Sequence, residues 1–223
     1  IVHEYGHGVS NRLTGGPANA SCLFGPEQAG EGWSDFLTLV FTASPNDEAE
    51  TPRGLGRYVI FRENDPLATI RPAPYSRDMQ INPLTYGDII TAGQAGSNIS
   101  VPHGVGTVFA TALWDMYWNL VDRHGFDPDL YNGNGGNQIA LRLVLDGLKM
   151  QPCGPTFLTA RDAILMADMA SNSGANQCEI WDAFARRGMG FSASDGGSSD
   201  TLAVTPAFDL PESCGIVLLL SLI

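Results

Sequence analysis

Apolar side chains recur at helical spacing over one long stretch of the chain. After Pro102, the positions Val105, Val108, Phe109, Ala112, Leu113, Met116, Leu120 and Val121 fall at i, i+3 and i+4, and Gly125 stops the run. This predicts a buried helix. Shorter runs of the same period predict helices from the N-terminus to about Leu13, from Pro26 to about Thr42, from Gln138 to Lys149, from Thr156 to Ala170 and from Cys178 to Arg187. The first ends at the breaker cluster Thr14-Gly15-Gly16-Pro17. For the last, Asn176 and Glu179 stand at capping-box spacing, Arg186 and Arg187 face the negative end of the helix dipole, and Gly188 is the stop.

Between Ser44 and Asn98 the period disappears into Pro, Gly, Asn and Asp, so loops are expected, with Tyr58-Val59-Ile60-Phe61 as a possible strand. Asn132 to Asn137 and the stretch after Gly190 read as further loop, the latter an irregular tail. The chain is therefore mainly α, a helical domain with long loops, and no internal repeat or linker divides it.

At 223 residues the length suits one substantial core. Acidic residues outnumber basic ones by 24 to 12, for a formal charge of −12, which argues against a surface that tracks nucleic-acid phosphates. The apolar tail Gly215–Ile223 is well short of the roughly 20 residues that cross a bilayer, and could be a buried strand or the start of something longer. No nucleic-acid or membrane partner is expected. Four cysteines stand apart with no C-x-x-C pair, so two disulfides and an extracellular setting are expected. Three pairings are open; Cys153 with Cys178 and Cys22 with Cys214 is preferred, because each would tie a loop or tail beside a helix.

The chemistry concentrates in the first helix. His3-Glu4-Tyr5-Gly6-His7 fits H-E-x-x-H, where imidazoles at i and i+4 are only about 40° apart around the axis and can share a zinc ion, with Glu4 beside them as general base. A third ligand is needed. The metzincin pattern is excluded, because Ser10 and Leu13 occupy its glycine and histidine positions. Glu31, in Gly30-Glu31-Gly32-Trp33-Ser34-Asp35-Phe36, fits the glutamate of a His2Glu site, and Asp35 lies one turn on, where it can accept the second ring N–H of His3. The glycines beside Glu31 permit close approach of helices. His103, at the start of the long helix, is a further candidate, and Gly104 and Gly106 leave room for a substrate backbone. His124 at the other end suits the helix C-terminal dipole.

These residues resemble the fungalysin family of extracellular metallopeptidases, which are thermolysin-like in their catalytic half. The resemblance rests on His3 to Gly8, Ser10 to Gly16, Glu31 to Phe36, Pro74-Tyr75-Ser76, Asn82 to Tyr86, the His103 to Asp122 helix and the segment Gln151 to Gly188. It implies one zinc held by His3, His7 and Glu31, Glu4 as general base, and His103 donating a hydrogen bond to the tetrahedral intermediate. It also implies a secreted, extracellular endopeptidase acting on protein or peptide substrates; a monomer is expected. By the same resemblance this chain is a C-terminal helical subdomain whose N-terminal β-rich half and inhibitory propeptide are absent. Two positions depart from the thermolysin-like pattern: Asn98 stands where an aspartate would precede His103 by five residues, and the tyrosine between the second histidine and the glutamate ligand is missing. Tyr75 is the candidate for that role at the substrate or oxyanion, with Arg71 as a candidate binder of a substrate carbonyl.

A non-catalytic, zinc-stabilised fragment or pseudoenzyme would have no use for Glu4 or an open zinc position. An exopeptidase would need an acidic pocket for the substrate amine, and no G-x-M-E-N-like stretch supplies one. The oxygen-rich loop Asp195 to Asp200 could hold calcium, although a solvated loop is the simpler reading.

Overall fold

The structure, a computed structural model, describes residues 1–215. Among them are six α-helices: α1 (Val2–Leu13), α2 (Gly30–Phe41), α3 (His103–His124), α4 (Gly136–Met150), α5 (Phe157–Asn172) and α6 (Gln177–Arg186). Short 3-10 turns cover Tyr86–Thr91 and Glu212–Cys214. No sheet forms among the described residues, only isolated bridges such as Arg53 with Tyr75. The expected mainly α fold is what forms. Residues 216–223, and with them the apolar tail, lie outside the described part.

Helix α3 is the axis of the packing, with α2, α4 and α6 set against it, α5 against α4, and α1 against α2. Its residues are buried from Gly104 to Trp118, mostly apolar ones, with Thr107, Thr111 and Asp115 the polar residues among them. Phe109 stands at the centre, with Trp33 of α2 and Phe157 of α5 each 4.8 Å from it between ring centroids. A single core follows, which leaves α1 lying over α2 at one side.

Glycine sets how closely the site-bearing helices meet. A Cβ on Gly32 would lie 2.4 Å from the carbonyl oxygen of Gly106, and one on Gly106 only 2.6 Å from Cβ of Glu31. On the other side of α2, a Cβ on Gly6 would lie 2.8 Å from Cα of Ser34. Helices α1, α2 and α3 are therefore in near-backbone contact at the height of Glu31. Gly106 serves helix packing, and the missing Cβ of Gly104 makes way for Ile99 of the preceding loop, so the space beside each is taken by the protein itself.

Several local expectations are corrected. The second helix begins at Gly30 rather than Pro26, because the Glu27 side chain turns inward: it accepts hydrogen bonds from the Tyr86 hydroxyl (2.7 Å) and the Phe157 amide (2.9 Å), while Gln28 takes the amide of Gly30. The run Tyr58 to Phe61 is not a strand. Its backbone closes turns, Val59 on Gly56 and Phe61 on Tyr58, and Phe61 has a left-handed φ of 56°, which an extended strand cannot contain. The capping box of α6 does not form, because the Asn176 amide donates to Asp168 and its oxygen meets Nε2 of His124 (both 2.7 Å). His124 thereby ties the end of α3 to the start of α6. Arg187 is fully buried rather than poised at the helix end; it pairs with Asp115 at 2.7 Å and donates to the carbonyls of Asn82, Leu84 and Ser76.

The preferred disulfide pairing is also overturned. Cys22 pairs with Cys153, and Cys178 with Cys214. The first bridge joins the loop before α2 to the loop before α5, and the second fastens the last 3-10 turn to α6.

Candidate metal centre and catalytic cleft

Two turns of α1 and one of α2 build the centre. His3 and His7 project from the same face of α1 toward α2, where Glu31 stands in the first turn, its carboxylate near the helix's positive end. Nε2 of His3 lies 3.2 Å from Nε2 of His7 and 3.2 Å from Oε2 of Glu31, and Nε2 of His7 lies 3.5 Å from Oε1 of Glu31. Ligand atoms around a tetrahedral zinc at its usual bond lengths sit about 3.4 Å apart. The spacing fits a zinc ion, and so does the donor chemistry of two imidazoles and a carboxylate. Among the described residues this is the one group of three or more metal-type donors that converges.

Behind these donors lies a web of charge. Nδ1 of His3 is 2.8 Å from Oδ1 of Asp35, a short but bent contact that directs Nε2 of the ring toward the centre. Asp35 is wholly buried and is held three more times: Nε and Nη2 of Arg71 donate to its two oxygens at 2.7 and 2.8 Å, and the Tyr75 hydroxyl donates to Oδ2. Nη2 of Arg71 also reaches Oε2 of Glu31 at 3.0 Å. One guanidinium thus braces both carboxylates.

Electrostatics follow from that arrangement in the metal-free protein. Burial alone would lower the pKa of His3, but its contacts with Asp35 and Glu31 outweigh that and raise it to about 9. For Glu31 burial acts upward, yet His3, His103, Arg71 and His7 together hold it down at about 2. The centre holds an ionised carboxylate and a proton on His3 that a metal ion must displace.

The candidate residues separate into two groups. Glu4, His103 and Arg71 line one cleft of about 610 Å³ with His3, His7 and Glu31. Glu4 is exposed in it, and His103, the first residue of α3, has its side chain 56% exposed, with Nε2 3.6 Å from Oε1 of Glu31. Tyr75 is not in the cleft. Expected at the substrate or oxyanion, it is buried completely with its hydroxyl on Asp35, and burial together with that carboxylate pushes its pKa well up. Arg71 is likewise engaged by two carboxylates, and its side chain is almost wholly buried although the residue lines the cleft.

The cleft's apolar wall was not foreseen. Leu55, Gly56, Val59 and Ile70, from the segment expected to hold a strand, line it together with Thr38 of α2 and Thr42, the residue that ends that helix. Exposed apolar residues in a turn-rich stretch were the available signal. A slightly larger hollow of about 670 Å³ opens beside the Cys22–Cys153 bridge and the Asp195–Asp200 loop, far from any converging donors. There Asp195 already accepts from the Thr156 hydroxyl at 2.6 Å and the Gly197 amide at 2.8 Å.

Residues 1–193 match the model of the fungalysin metallopeptidase family M36. The chain is 44% identical over 201 residues to the extracellular metalloproteinase mep of Aspergillus fumigatus, covering 86% of this chain and 30% of that protein. It is 44% identical over 221 residues to the extracellular metalloproteinase MEP of Fusarium vanettenii, covering 95% and 32%, and 43% identical over 222 residues to extracellular metalloproteinase 1 of Trichophyton tonsurans, covering 96% and 33%. The chain spans about a third of the length of these curated relatives.

Proposed function

The chain belongs to the fungalysin metallopeptidase family, and on that premise we propose that it carries the zinc site and catalytic groups of a secreted endopeptidase that cleaves protein or peptide chains. The supporting observation is the triangle of Nε2 of His3, Nε2 of His7 and the Glu31 carboxylate, with edges of 3.2 to 3.5 Å, opening on a cleft that also presents Glu4 and His103. Relatives named extracellular metalloproteinases support the same class. No helix among the described residues is long and apolar enough to cross a membrane.

In this reading His3, His7 and Glu31 hold the zinc. A zinc ion there supplies Lewis acidity and lowers the pKa of a water molecule toward neutrality. Glu4 accepts the proton of the attacking water on its carboxylate and delivers it to the nitrogen of the leaving amine. His103 donates from its ring to the oxyanion that develops on the scissile carbonyl. Asp35 fixes the ring of His3, Arg71 and Tyr75 fix Asp35, and Arg71, which lines the cleft, is the candidate to meet a substrate carbonyl. The helical unit works within a longer catalytic domain, with a β-rich part and an inhibitory propeptide contributed by the rest of the protein. A zinc site of purely structural use would leave the exposed Glu4 without a task.

Glu4→Gln in the full-length protein tests this. Turnover of a quenched casein-type substrate should vanish with zinc content unchanged. Retained turnover would remove Glu4 from the mechanism, and loss of the zinc would make it a structural residue.

A further inference from the structure

Three asparagines stand two residues before a hydroxyl or thiol side chain: Asn19-Ala20-Ser21, Asn98-Ile99-Ser100 and Asn176-Gln177-Cys178. The first two fit the N-x-S/T acceptor pattern for N-linked carbohydrate. The structure separates them sharply. Asn176 is buried, both ends of its amide are engaged by Asp168 and His124, and Cys178 is in a disulfide. Asn19 is exposed, but its amide nitrogen rests 3.8 Å from Sγ of Cys153, in the crowded corner of the Cys22–Cys153 bridge.

Asn98 differs from both. Its side chain is exposed and has no hydrogen-bond partner among the described residues. The backbone on either side of it is fastened. The Gly93 amide donates to the Ile99 carbonyl at 2.8 Å, the Ile99 amide to the Ser97 hydroxyl at 3.1 Å, and the amides of Gly104 and Val105 to the hydroxyl and carbonyl of Ser100. Ile99 is buried against Gly104. A rigid loop therefore holds one unpartnered carboxamide outward, five residues before His103.

We infer that Asn98 is a site of N-linked glycosylation, a carbohydrate carried on the loop that seats His103. The inference rests on the proposed secretion of the chain, since the modification is made in a eukaryotic secretory pathway on the chain before it folds. The co-reactant is a lipid-linked oligosaccharyl pyrophosphate. Nδ2 of Asn98 forms a bond to the anomeric carbon of the first sugar, the bond from that carbon to the pyrophosphate oxygen breaks with its electron pair leaving on the pyrophosphate, and the amide gives up one proton. The folded chain accommodates the product, because nothing bonded to Asn98 is lost and Asn98 does not line the metal cleft. The sugar would be carried five residues before His103, on a residue outside the cleft lining, so the cleft stays open.

The test uses the full-length protein secreted from a eukaryotic host, de-N-glycosylated enzymatically in heavy-oxygen water and mapped by peptide mass spectrometry. Asn98 should appear as isotope-marked aspartate and Asn176 as plain asparagine, and Asn98→Gln should lose the mass of one glycan with secretion retained. A secreted protein whose Asn98 is unmodified overturns the inference and leaves the secretion reading standing. A protein retained in the cell with Asn98 unmodified overturns both.

Discussion

Gly106→Ala probes how the fold sets the metal site. In an ordinary helix interior this substitution stabilises by roughly 0.5–1 kcal/mol, because alanine restricts the unfolded backbone. Here the added Cβ would lie 2.6 Å from Cβ of Glu31 and 2.7 Å from the amide nitrogen of Gly32, and both neighbours are close to backbone. Carbon atoms in contact prefer about 3.5–4.0 Å, so α2 must retreat from α3 by about 1 Å. Overpacking of that kind costs about 1–3 kcal/mol, which reverses the sign of the helix-propensity gain. The same retreat moves Glu31, whereas a metal site tolerates about 0.2 Å in its ligand distances. The substitution should therefore lower the urea midpoint and weaken zinc binding, although residue 106 supplies no donor atom to the metal. Both are measurable on one preparation, by denaturation followed with tryptophan fluorescence and by competition with a chromogenic chelator. An alanine variant that is more stable than the parent and binds zinc as tightly would refute the close-approach argument.

Three further outcomes are expected. Asp35→Ala strips the His3 ring of its partner and leaves the buried Arg71 facing only Glu31, so zinc affinity should fall by about 10- to 100-fold and stability by about 3–5 kcal/mol, read by chelator competition and urea unfolding; loss of neither would deny Asp35 its bracing role. Because His3 in the metal-free protein is protonated up to about 9, zinc must displace its proton, and apparent zinc affinity should rise about tenfold per pH unit from neutrality to about pH 9; a flat profile contradicts the His3–Asp35–Glu31 electrostatics. Glu27 is raised by burial to about 7 from an ordinary value near 4.5, so the folded state holds its proton more tightly than the unfolded chain. Its contribution is full below about pH 4.5 and is lost as pH rises through about 7, a change of about 3 kcal/mol. Glu27→Gln keeps an acceptor for Tyr86 and Phe157 but cannot ionise, so its stability between pH 5 and 8 should fall less than the parent's; equal slopes would rule Glu27 out as the source.

The helices were legible because their causes are local. A buried helix must repeat its apolar face, and α3 does so from Val105 to Val121. The donors His3 and His7 were legible for the same reason, since i and i+4 on a helix are neighbours wherever the helix goes, and Asp35 follows Glu31 by one turn. What failed depends on long-range placement. Glu27 looked like a first-turn helix residue, but Tyr86 and Phe157, 59 and 130 residues away, take its carboxylate inside. Asn176 had the spacing of a cap until Asp168 claimed its amide. Cysteine pairing has no local signature at all, since Cys22 and Cys153 are 131 residues apart. Tyr75 and Arg71 were expected to meet the substrate, yet only the fold shows that both grip Asp35 and that Tyr75 lies outside the cleft.

His3, His7 and Glu31 are proposed to hold a zinc ion in the cleft shared with Glu4 and His103. Zinc-edge X-ray absorption on the full-length protein, with His7→Ala as comparison, tests it most directly. The expected result is a single zinc with nitrogen and oxygen neighbours only, an imidazole scattering signature, and loss of that signal in His7→Ala. Sulfur neighbours, or a zinc signal that survives His7→Ala unchanged, would contradict it.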